Sequence, residues 1–182
     1  FDAIFTRAEP RTVLTGMRGS GKTQLASAVT TKCEEEDWPI VAWIHAASRA
    51  EIIADLYELA TLAGIDAPKD VPPETIIRRL LGQLRAADAA DRLFVFDNVE
   101  NLDDLKDLIP EGKDIRITIT TTRHLDWDSL GWLPLTVGVF DREQSITLLC
   151  GRTGDAHRDA ADRIADALGD LPVAVTQAAA TA

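Results

Sequence analysis

Short runs of consecutive apolar residues alternate with longer segments of helical periodicity along most of the chain. Five of these runs are rich in β-branched or aromatic residues, which is typical of strands that are buried on both faces. The predicted strands are Thr12–Thr15, Ile40–His45, Leu93–Phe96, Ile115–Thr120 and Leu133–Val139. The pattern therefore predicts an α/β fold with five strands.

The segments between these strands carry recognisable helix ends. Ser48 with Glu51 three residues later is a capping box, and Gly64 stands where a helix C-terminus is expected. Asn101 is predicted to cap a further helix, which Pro110 follows. Strands that alternate with helices in this way predict a parallel sheet with right-handed crossovers.

The pattern changes after residue 139, where three helical segments follow one another without a strand between them. The first of them opens on Asp141 and Gln144, which have the spacing of a second capping box. We therefore predict a boundary near Phe140. An α/β domain is expected over residues 1–140, and the beginning of a helical subdomain over residues 141–182.

Charge and composition argue against several classes of protein. The formal net charge of −11 argues against a broad surface for nucleic acids or anionic membranes, because both need clustered Lys and Arg. No apolar run approaches the length of a membrane span. Cys33 and Cys150 have no metal-binding spacing and are interpreted as reduced thiols. We expect a cytoplasmic protein whose present segment binds neither membranes nor nucleic acid directly.

The stretch GMRGSGKTQL, residues 16–25, matches the phosphate-loop pattern G-x-x-x-x-G-K-[ST] at each defined position. Its glycines allow successive backbone N–H groups to converge on phosphate oxygens, and a helix start follows them. Lys22 is expected to reach the β- and γ-phosphates, and Thr23 to offer its hydroxyl to Mg²⁺. The structural alternative is a glycine-rich turn with a surface lysine. The predicted nucleotide-binding residues of the loop are Met17, Arg18, Gly19, Ser20, Gly21, Lys22, Thr23 and Gln24.

Two further residues are candidates for catalysis because each follows a predicted strand. Asp97 ends the run LFVF, where a carboxylate can hold Mg²⁺ together with Thr23, although Asp-Asn is also good turn chemistry. Arg123 ends ITITTT, and its planar guanidinium suits a γ-phosphate, although it can equally leave the strand into solvent. For Arg123 to face the phosphates, its strand must lie between those that deliver Lys22 and Asp97. This predicts the strand order 2-3-4-1-5.

Six segments, in one order along the chain, resemble the nucleotide-binding domain of the NB-ARC group of STAND ATPases. They are GMRGSGKTQLA, WIHAAS, RLFVFDNVEN, IRITITTTR, LPLTVGVFDREQSITLL and LGDLPVAVTQAA, and they cover most of the chain. The group contains switch modules of plant disease-resistance proteins, the apoptosome scaffold and bacterial regulators, and the abundance of Ala, Asp and Arg is similar to its actinobacterial members. The resemblance implies binding of ATP or ADP with Mg²⁺, Pro172 packed near the adenine, and Arg123 sensing the γ-phosphate. It also implies winged-helix and sensor-repeat regions after Ala182 and self-assembly of the full-length protein.

Three features depart from the family's pattern. Many members carry two consecutive acids after the third strand, whereas here Asn98 follows Asp97. A neutral amide cannot act as a general base, so we expect slow hydrolysis, with Glu100 as the alternative carboxylate. Asp170 replaces the glycine that precedes Leu-Pro in the family, with Gly169 one position earlier. The family's Gly-Arg-Glu segment, which comes before the phosphate loop, is expected to precede Phe1.

The leading hypothesis is therefore an ATP/ADP-dependent molecular switch with weak ATPase activity. A P-loop kinase or active ATPase that acts on a small substrate or partner is the first alternative, and a dedicated catalytic base would favour it. An AAA+-like DNA-associated ATPase is the second, and the acidic net charge counts against it. Outside the site, we interpret His45 as a core residue and expect the helical subdomain to cover Trp127 and Trp132.

Overall fold

The structure, a computed structural model, describes residues 10–153 and 157–181. Its five strands form one sheet with the order β2-β3-β4-β1-β5, and the pairs β1–β4, β2–β3 and β3–β4 are parallel. The predicted α/β fold and strand order are confirmed, since β4 lies between β1 and β3. The strands are β1 (Arg11–Thr15), β2 (Ile40–His45), β3 (Arg92–Asp97), β4 (Ile115–Thr121) and β5 (Leu133–Thr136).

Six α-helices and one short 3₁₀ helix connect or follow the strands in the described part of the chain. The helix predicted after Asn101 is a single 3₁₀ segment, Leu102–Leu105, which Asn101 caps by accepting the backbone N–H of Asp103 at 3.2 Å. Strand β5 ends at Thr136 rather than at Val139. The α-helices are α1 (Lys22–Glu35), α2 (Arg49–Leu62), α3 (Pro73–Ala86), α4 (Arg142–Thr153), α5 (Arg158–Ala167) and α6 (Pro172–Thr181).

Both predicted helix starts are capped, and the second has both bonds of a capping box. The Ser48 hydroxyl accepts the backbone N–H of Glu51 at 3.4 Å and begins α2. At the start of α4 the bonds are reciprocal: the N–H of Gln144 donates to the Asp141 carboxylate at 2.7 Å, and the N–H of Asp141 donates to the Gln144 side chain at 2.9 Å. Such bonds satisfy N–H groups that the first turn of a helix leaves without partners.

The chain divides into two compact units. One holds residues 10–15 and 23–135 of the described chain, and its core lies between the sheet and helices α2 and α3, with Phe94 and Phe96 fully buried. The other holds residues 16–22 together with residues 136–181, and its core joins α4, α5 and α6 through residues such as Leu149, Ala165 and Val175. The phosphate loop thus belongs to the compact unit of the C-terminal helices, while the predicted boundary near Phe140 stays a prediction.

One prediction about a side chain outside the site is wrong. His45 is 70% exposed, because it is the last residue of an edge strand, and its Nδ1 lies 2.8 Å from the Asp55 carboxylate. Trp127 and Trp132 are buried in the core of the sheet-containing unit, and the expectation that the helical subdomain covers them stays a prediction. Every helix in the described ranges is too short or too polar to cross a lipid bilayer.

Candidate nucleotide-binding site

The phosphate loop, residues 16–22, needs glycine at two positions for reasons of both conformation and space. Gly16 and Gly19 have φ angles of +146° and +83°, which side chains disfavour. A Cβ atom on Gly16 would lie 2.3 Å from the carbonyl oxygen of Val137, and one on Gly19 would lie 2.7 Å from a methyl group of Val173. The loop is therefore packed closely against the C-terminal residues of its own unit.

Lys22 is held inside the loop rather than extended into solvent. Its ammonium group donates hydrogen bonds to the carbonyl oxygens of Gly16, at 3.0 Å, and Met17, at 2.8 Å. The residue is only 9% exposed, so the alternative interpretation as a surface lysine is wrong. The loop thus carries a fixed, poorly hydrated positive charge where the motif predicts the β- and γ-phosphates.

Ser20 gives an independent test of whether the loop fits an anion. The residue is 3% exposed, and its hydroxyl has no hydrogen-bond partner among the described residues. A buried hydroxyl without a partner costs roughly 1–3 kcal/mol. A phosphate oxygen would accept this hydroxyl, so the residues present fit the phosphate group that the motif predicts.

The sheet-containing unit holds Asp97 at the end of β3. Its Oδ1 atom accepts hydrogen bonds from the hydroxyls of Thr23, at 3.0 Å, and Thr120, at 2.6 Å. The Thr120 hydroxyl in turn accepts the backbone N–H of Asn98 at 2.8 Å, which orients the hydroxyl toward the carboxylate. The structure therefore brings together the two predicted magnesium ligands, Thr23 and Asp97.

Hard oxygen ligands of this kind suit Mg²⁺, which normally keeps several waters and takes other ligands from substrate phosphates. Within the described ranges there is no group of three or more His, Cys, Asp or Glu side chains that could hold a metal ion by themselves. The Thr23–Asp97 pair therefore fits a metal that binds together with a nucleotide. Thr120 was missed by sequence reasoning, although a threonine at the end of a buried strand is a signal that could have found it.

Arg123 follows β4 and turns back toward the loop after β3. Its Nε atom donates to the carbonyl oxygen of Glu100 at 2.9 Å, and its backbone N–H donates to the hydroxyl of Thr121 at 3.1 Å. That hydroxyl donates to the carbonyl oxygen of Val99 at 2.6 Å. Arg123 is thus exposed but oriented by the segment that follows Asp97.

Asn98, at the family's base position, and Glu100, the alternative carboxylate, are both exposed. Asn98 has a φ of +64°, a left-handed conformation that Asn tolerates better than most residues. Glu100 uses its backbone carbonyl on Arg123. Neither arrangement supplies a buried carboxylate beside Asp97.

The remaining predicted binding residues surround the loop or follow it. Met17, Arg18 and Gln24 are exposed, Met17 at 59%. Pro172 is buried at the start of α6, and the next residue, Val173, donates its backbone N–H to the carbonyl oxygen of Gly19 at 3.2 Å. The predicted role of Pro172 beside an adenine stays a prediction.

Comparison with known proteins gives one family and one fold. The family model for the NB-ARC domain matches residues 6–159. A STAND protein with a tetratricopeptide repeat sensor from Pyrococcus horikoshii is 16% identical, has a TM-score of 0.54, and covers 91% of this chain and 27% of its own. No curated protein sequence matches the chain.

Two further solved structures share the same fold. Drosophila ORC bound to DNA is 17% identical with a TM-score of 0.58, and the match covers 95% of this chain and 54% of that one. Cdc6p from Pyrobaculum aerophilum is 17% identical with a TM-score of 0.60, and the match covers 92% of this chain and 53% of that one. Identities at this level show the fold alone. The chain spans between 27% and 54% of the length of these three structures.

Proposed function

Because the chain belongs to the NB-ARC domain family of P-loop nucleoside triphosphatases, we propose that it binds ATP and ADP as the switch domain of a longer signalling or regulatory protein. The nucleotide binds with Mg²⁺, and hydrolysis is slow. The longer protein is cytoplasmic, carries winged-helix and sensor-repeat regions, and assembles with itself when its nucleotide is exchanged.

The observation that carries this proposal is the hydrogen bond of 3.0 Å between Thr23 and Asp97. Lys22, the last residue of the phosphate loop, is followed directly by Thr23, whose hydroxyl donates to Asp97. Lys22 supplies a fixed positive charge for phosphate oxygens, and the Ser20 hydroxyl supplies a buried donor that has no hydrogen-bond partner among the described residues. When bound, Mg²⁺ neutralises charge on the β- and γ-phosphate oxygens.

Slow hydrolysis follows from the residues after Asp97. The Asn98 amide cannot accept a proton from an attacking water, and the Glu100 side chain is exposed to solvent. Lack of a general base lowers the rate by typically about 10²–10⁴-fold while leaving ground-state binding intact. A bound ATP would therefore stay unhydrolysed for longer, as an ATP-dependent switch requires.

The segments that make up the C-terminal unit support a coupling between nucleotide binding and protein conformation. The loop residues 16–22 and the helices α4 to α6 form one compact unit, with Gly19 bonded to Val173. A ligand on the loop therefore contacts a segment that packs directly against helical residues. A ligand shifts a conformational equilibrium when it binds one of the two conformations more tightly than the other. A nucleotide on the loop would have such a difference in affinity if the loop changes its packing between the two conformations.

The test is direct identification of the bound nucleotide. The purified chain is denatured, and the released small molecules are identified by mass spectrometry. Its binding to ADP and ATP is then measured by calorimetry with and without Mg²⁺. ADP or ATP in the released fraction, with Mg²⁺-dependent affinity, supports the proposal. A chain that contains no nucleotide and binds none would refute it.

The alternatives have less support. A fold shared with ORC and Cdc6p does not carry DNA binding to this chain at 17% identity, and the net charge of −11 opposes it. A kinase or fast ATPase needs a catalytic base. Asn98 is an amide that cannot accept the proton, and the carboxylate of Glu100 is exposed to solvent.

A further inference from the structure

Arg142, the first residue of α4, is bonded to three carboxylates. Its Nε donates to both oxygens of Asp170, at 3.0 and 3.2 Å, and its Nη2 donates to Asp170 at 2.9 Å and to Asp166 at 3.0 Å. Its Nη1 donates to Asp162 at 3.1 Å. Hydrogen bonds to Asp170, then Asp166 and Asp162, raise the pKa of Arg142 above its ordinary value, and the same guanidinium lowers the pKa of Asp170.

The three acids reach one guanidinium because they are spaced four residues apart. Asp162 and Asp166 therefore lie on one face of α5, and Asp170 follows just beyond its end. Three carboxylates around a single positive charge leave local excess negative charge. The positive charge of Arg142 offsets part of the repulsion between the three carboxylates.

Asp170 holds an unusual backbone conformation at the turn between α5 and α6. Gly169 and Asp170 have successive positive φ angles of +61° and +54°, a region where glycine is favoured over other residues. The Asp170 carbonyl oxygen accepts the N–H of Phe140 at 3.0 Å, and its own N–H donates to Ala165 at 3.0 Å. A side chain at position 170 disfavours the positive φ, and this same Asp170 side chain forms the bidentate ion pair with Arg142.

The turn leads directly to the phosphate loop. Val173, three residues after Asp170, donates its N–H to the carbonyl oxygen of Gly19 at 3.2 Å. A Cβ atom on Gly19 would lie 2.7 Å from Val173 and 3.4 Å from Leu171. Any movement of the Asp170 turn therefore moves the residues that are packed against the loop.

We propose that Arg142 and Asp170 are positioning residues whose ion pair holds the residue 170–173 turn against the phosphate loop and so sets the rate of nucleotide release. This inference rests on the proposed nucleotide binding. Neither residue belongs to the phosphate loop, residues 16–22. The ion pair acts through Leu171 and Val173 on Gly19, and its loss loosens the loop.

The test measures release of a fluorescent ADP analogue from the whole chain by stopped flow, in the presence of Mg²⁺. Asp170→Asn removes the charge but keeps a residue that tolerates positive φ, so the turn itself is preserved. Arg142→Gln leaves three carboxylates facing each other and should act more strongly. We expect release to accelerate on the order of 2- to 30-fold in these variants, with the association rate little changed.

Arg158→Gln is the matched control, because Arg158 forms an exposed ion pair with Glu143 that also joins α5 to α4. The dependence of the release rate on salt concentration is a second readout, and a purely structural role of the two residues would not change it. Release from the wild type should speed up as salt screens the partly exposed pair, whereas release from Asp170→Asn should be nearly independent of salt. If Arg142→Gln fails to fold, Asp170→Asn and the salt series still decide the question.

The outcomes separate this inference from the proposed function. If the wild type binds no ADP, the proposed function and this inference both fall. If it binds ADP but Asp170→Asn releases it at the wild-type rate, the inference is wrong and the proposed function stands. Equal acceleration by Arg158→Gln would also overturn the inference, since any loss of charge between the helices would then suffice.

Discussion

The hydroxyl of Thr23 donates a hydrogen bond of 3.0 Å to Oδ1 of Asp97, a residue 74 positions later in the chain. The first residue lies at the start of α1 and the second at the end of β3. Thr120 donates to the same oxygen at 2.6 Å, so hydrogen bonds from two elements, α1 and β4, hold the carboxylate. This pair connects the motif that predicts phosphate binding to the motif that predicts metal binding.

Replacing Asp97 by Asn should reduce the part of ADP affinity that depends on Mg²⁺. The amide keeps an oxygen that can accept from Thr23 and Thr120, but it loses the negative charge that attracts the metal. We expect a loss of at least about tenfold, which corresponds to roughly 1.4 kcal/mol. Calorimetry with ADP, with and without Mg²⁺, measures it. Thr23→Ser keeps the hydroxyl and serves as the control, and equal Mg²⁺ dependence in Asp97→Asn and wild type would contradict the assignment.

Lys22→Ala should weaken nucleotide binding by roughly 1.5–3 kcal/mol, because charge-assisted hydrogen bonds to phosphate are lost. The mutation should also lower the melting temperature, since the ammonium group bridges the carbonyl oxygens of Gly16 and Met17. ADP titration and thermal melting separate the two effects. Lys69→Ala removes an exposed lysine and should change neither quantity. Unchanged ADP affinity in Lys22→Ala would remove the phosphate loop from the site.

Asn98→Asp should raise the single-turnover rate of ATP hydrolysis without changing ATP affinity. The φ of +64° at this position is tolerated by both Asn and Asp, so the backbone need not move. A general base contributes typically about 10²–10⁴-fold, which sets the upper limit of the gain. Single-turnover measurements with radiolabelled ATP provide the rate.

Glu100→Gln is the control for that experiment, because it removes the other carboxylate of the same loop. A wild type that hydrolyses ATP rapidly and loses activity in Glu100→Gln would make Glu100 the base. The proposed slow switch would then be wrong.

Gly16→Ala should destabilise the chain and abolish ADP binding. A Cβ at this position would lie 2.3 Å from a backbone oxygen of Val137, and the φ of +146° disfavours any side chain. Gly82→Ala is a matched control, because Gly82 lies within α3 and a Cβ atom there would meet no other atom within 4 Å. That change should stabilise the protein by about 0.5–1 kcal/mol. Melting curves that rank the two variants in the opposite order would contradict the packing described for the loop.

Cys33 should resist alkylation until the chain unfolds. Burial, followed by the nearby negative charge of Glu36, raises the pKa of the Cys33 thiol to about 11 from an ordinary value of 9.0. The folded state therefore holds this proton more tightly than the unfolded state. The resulting stability is fully present below about pH 9 and is lost as the pH rises toward about 11. Melting temperatures of wild type and Cys33→Ala between pH 8 and 11 should show a steeper fall in the wild type.

The sequence by itself determined the elements, the sheet and the phosphate loop of this protein. These features depend on short-range signals: consecutive apolar β-branched residues, capping pairs such as Asp141 with Gln144, and glycines at fixed spacing. The centre of the strand order, β3-β4-β1, was also predictable, because Arg123 faces the phosphates only if its strand lies between those that deliver Lys22 and Asp97.

Only the tertiary structure decided which distant side chains meet. Nothing local to Arg142 indicates that Asp162, Asp166 and Asp170 converge on it, or that Thr120 supports Asp97 from the neighbouring strand. His45 shows the same limit, since an apolar strand predicts burial while the position at the end of an edge strand exposes the side chain. Periodicity reports which face a residue occupies within its own element. What that face meets depends on register, strand position and the path of the connecting chain, which are set by packing of the whole fold.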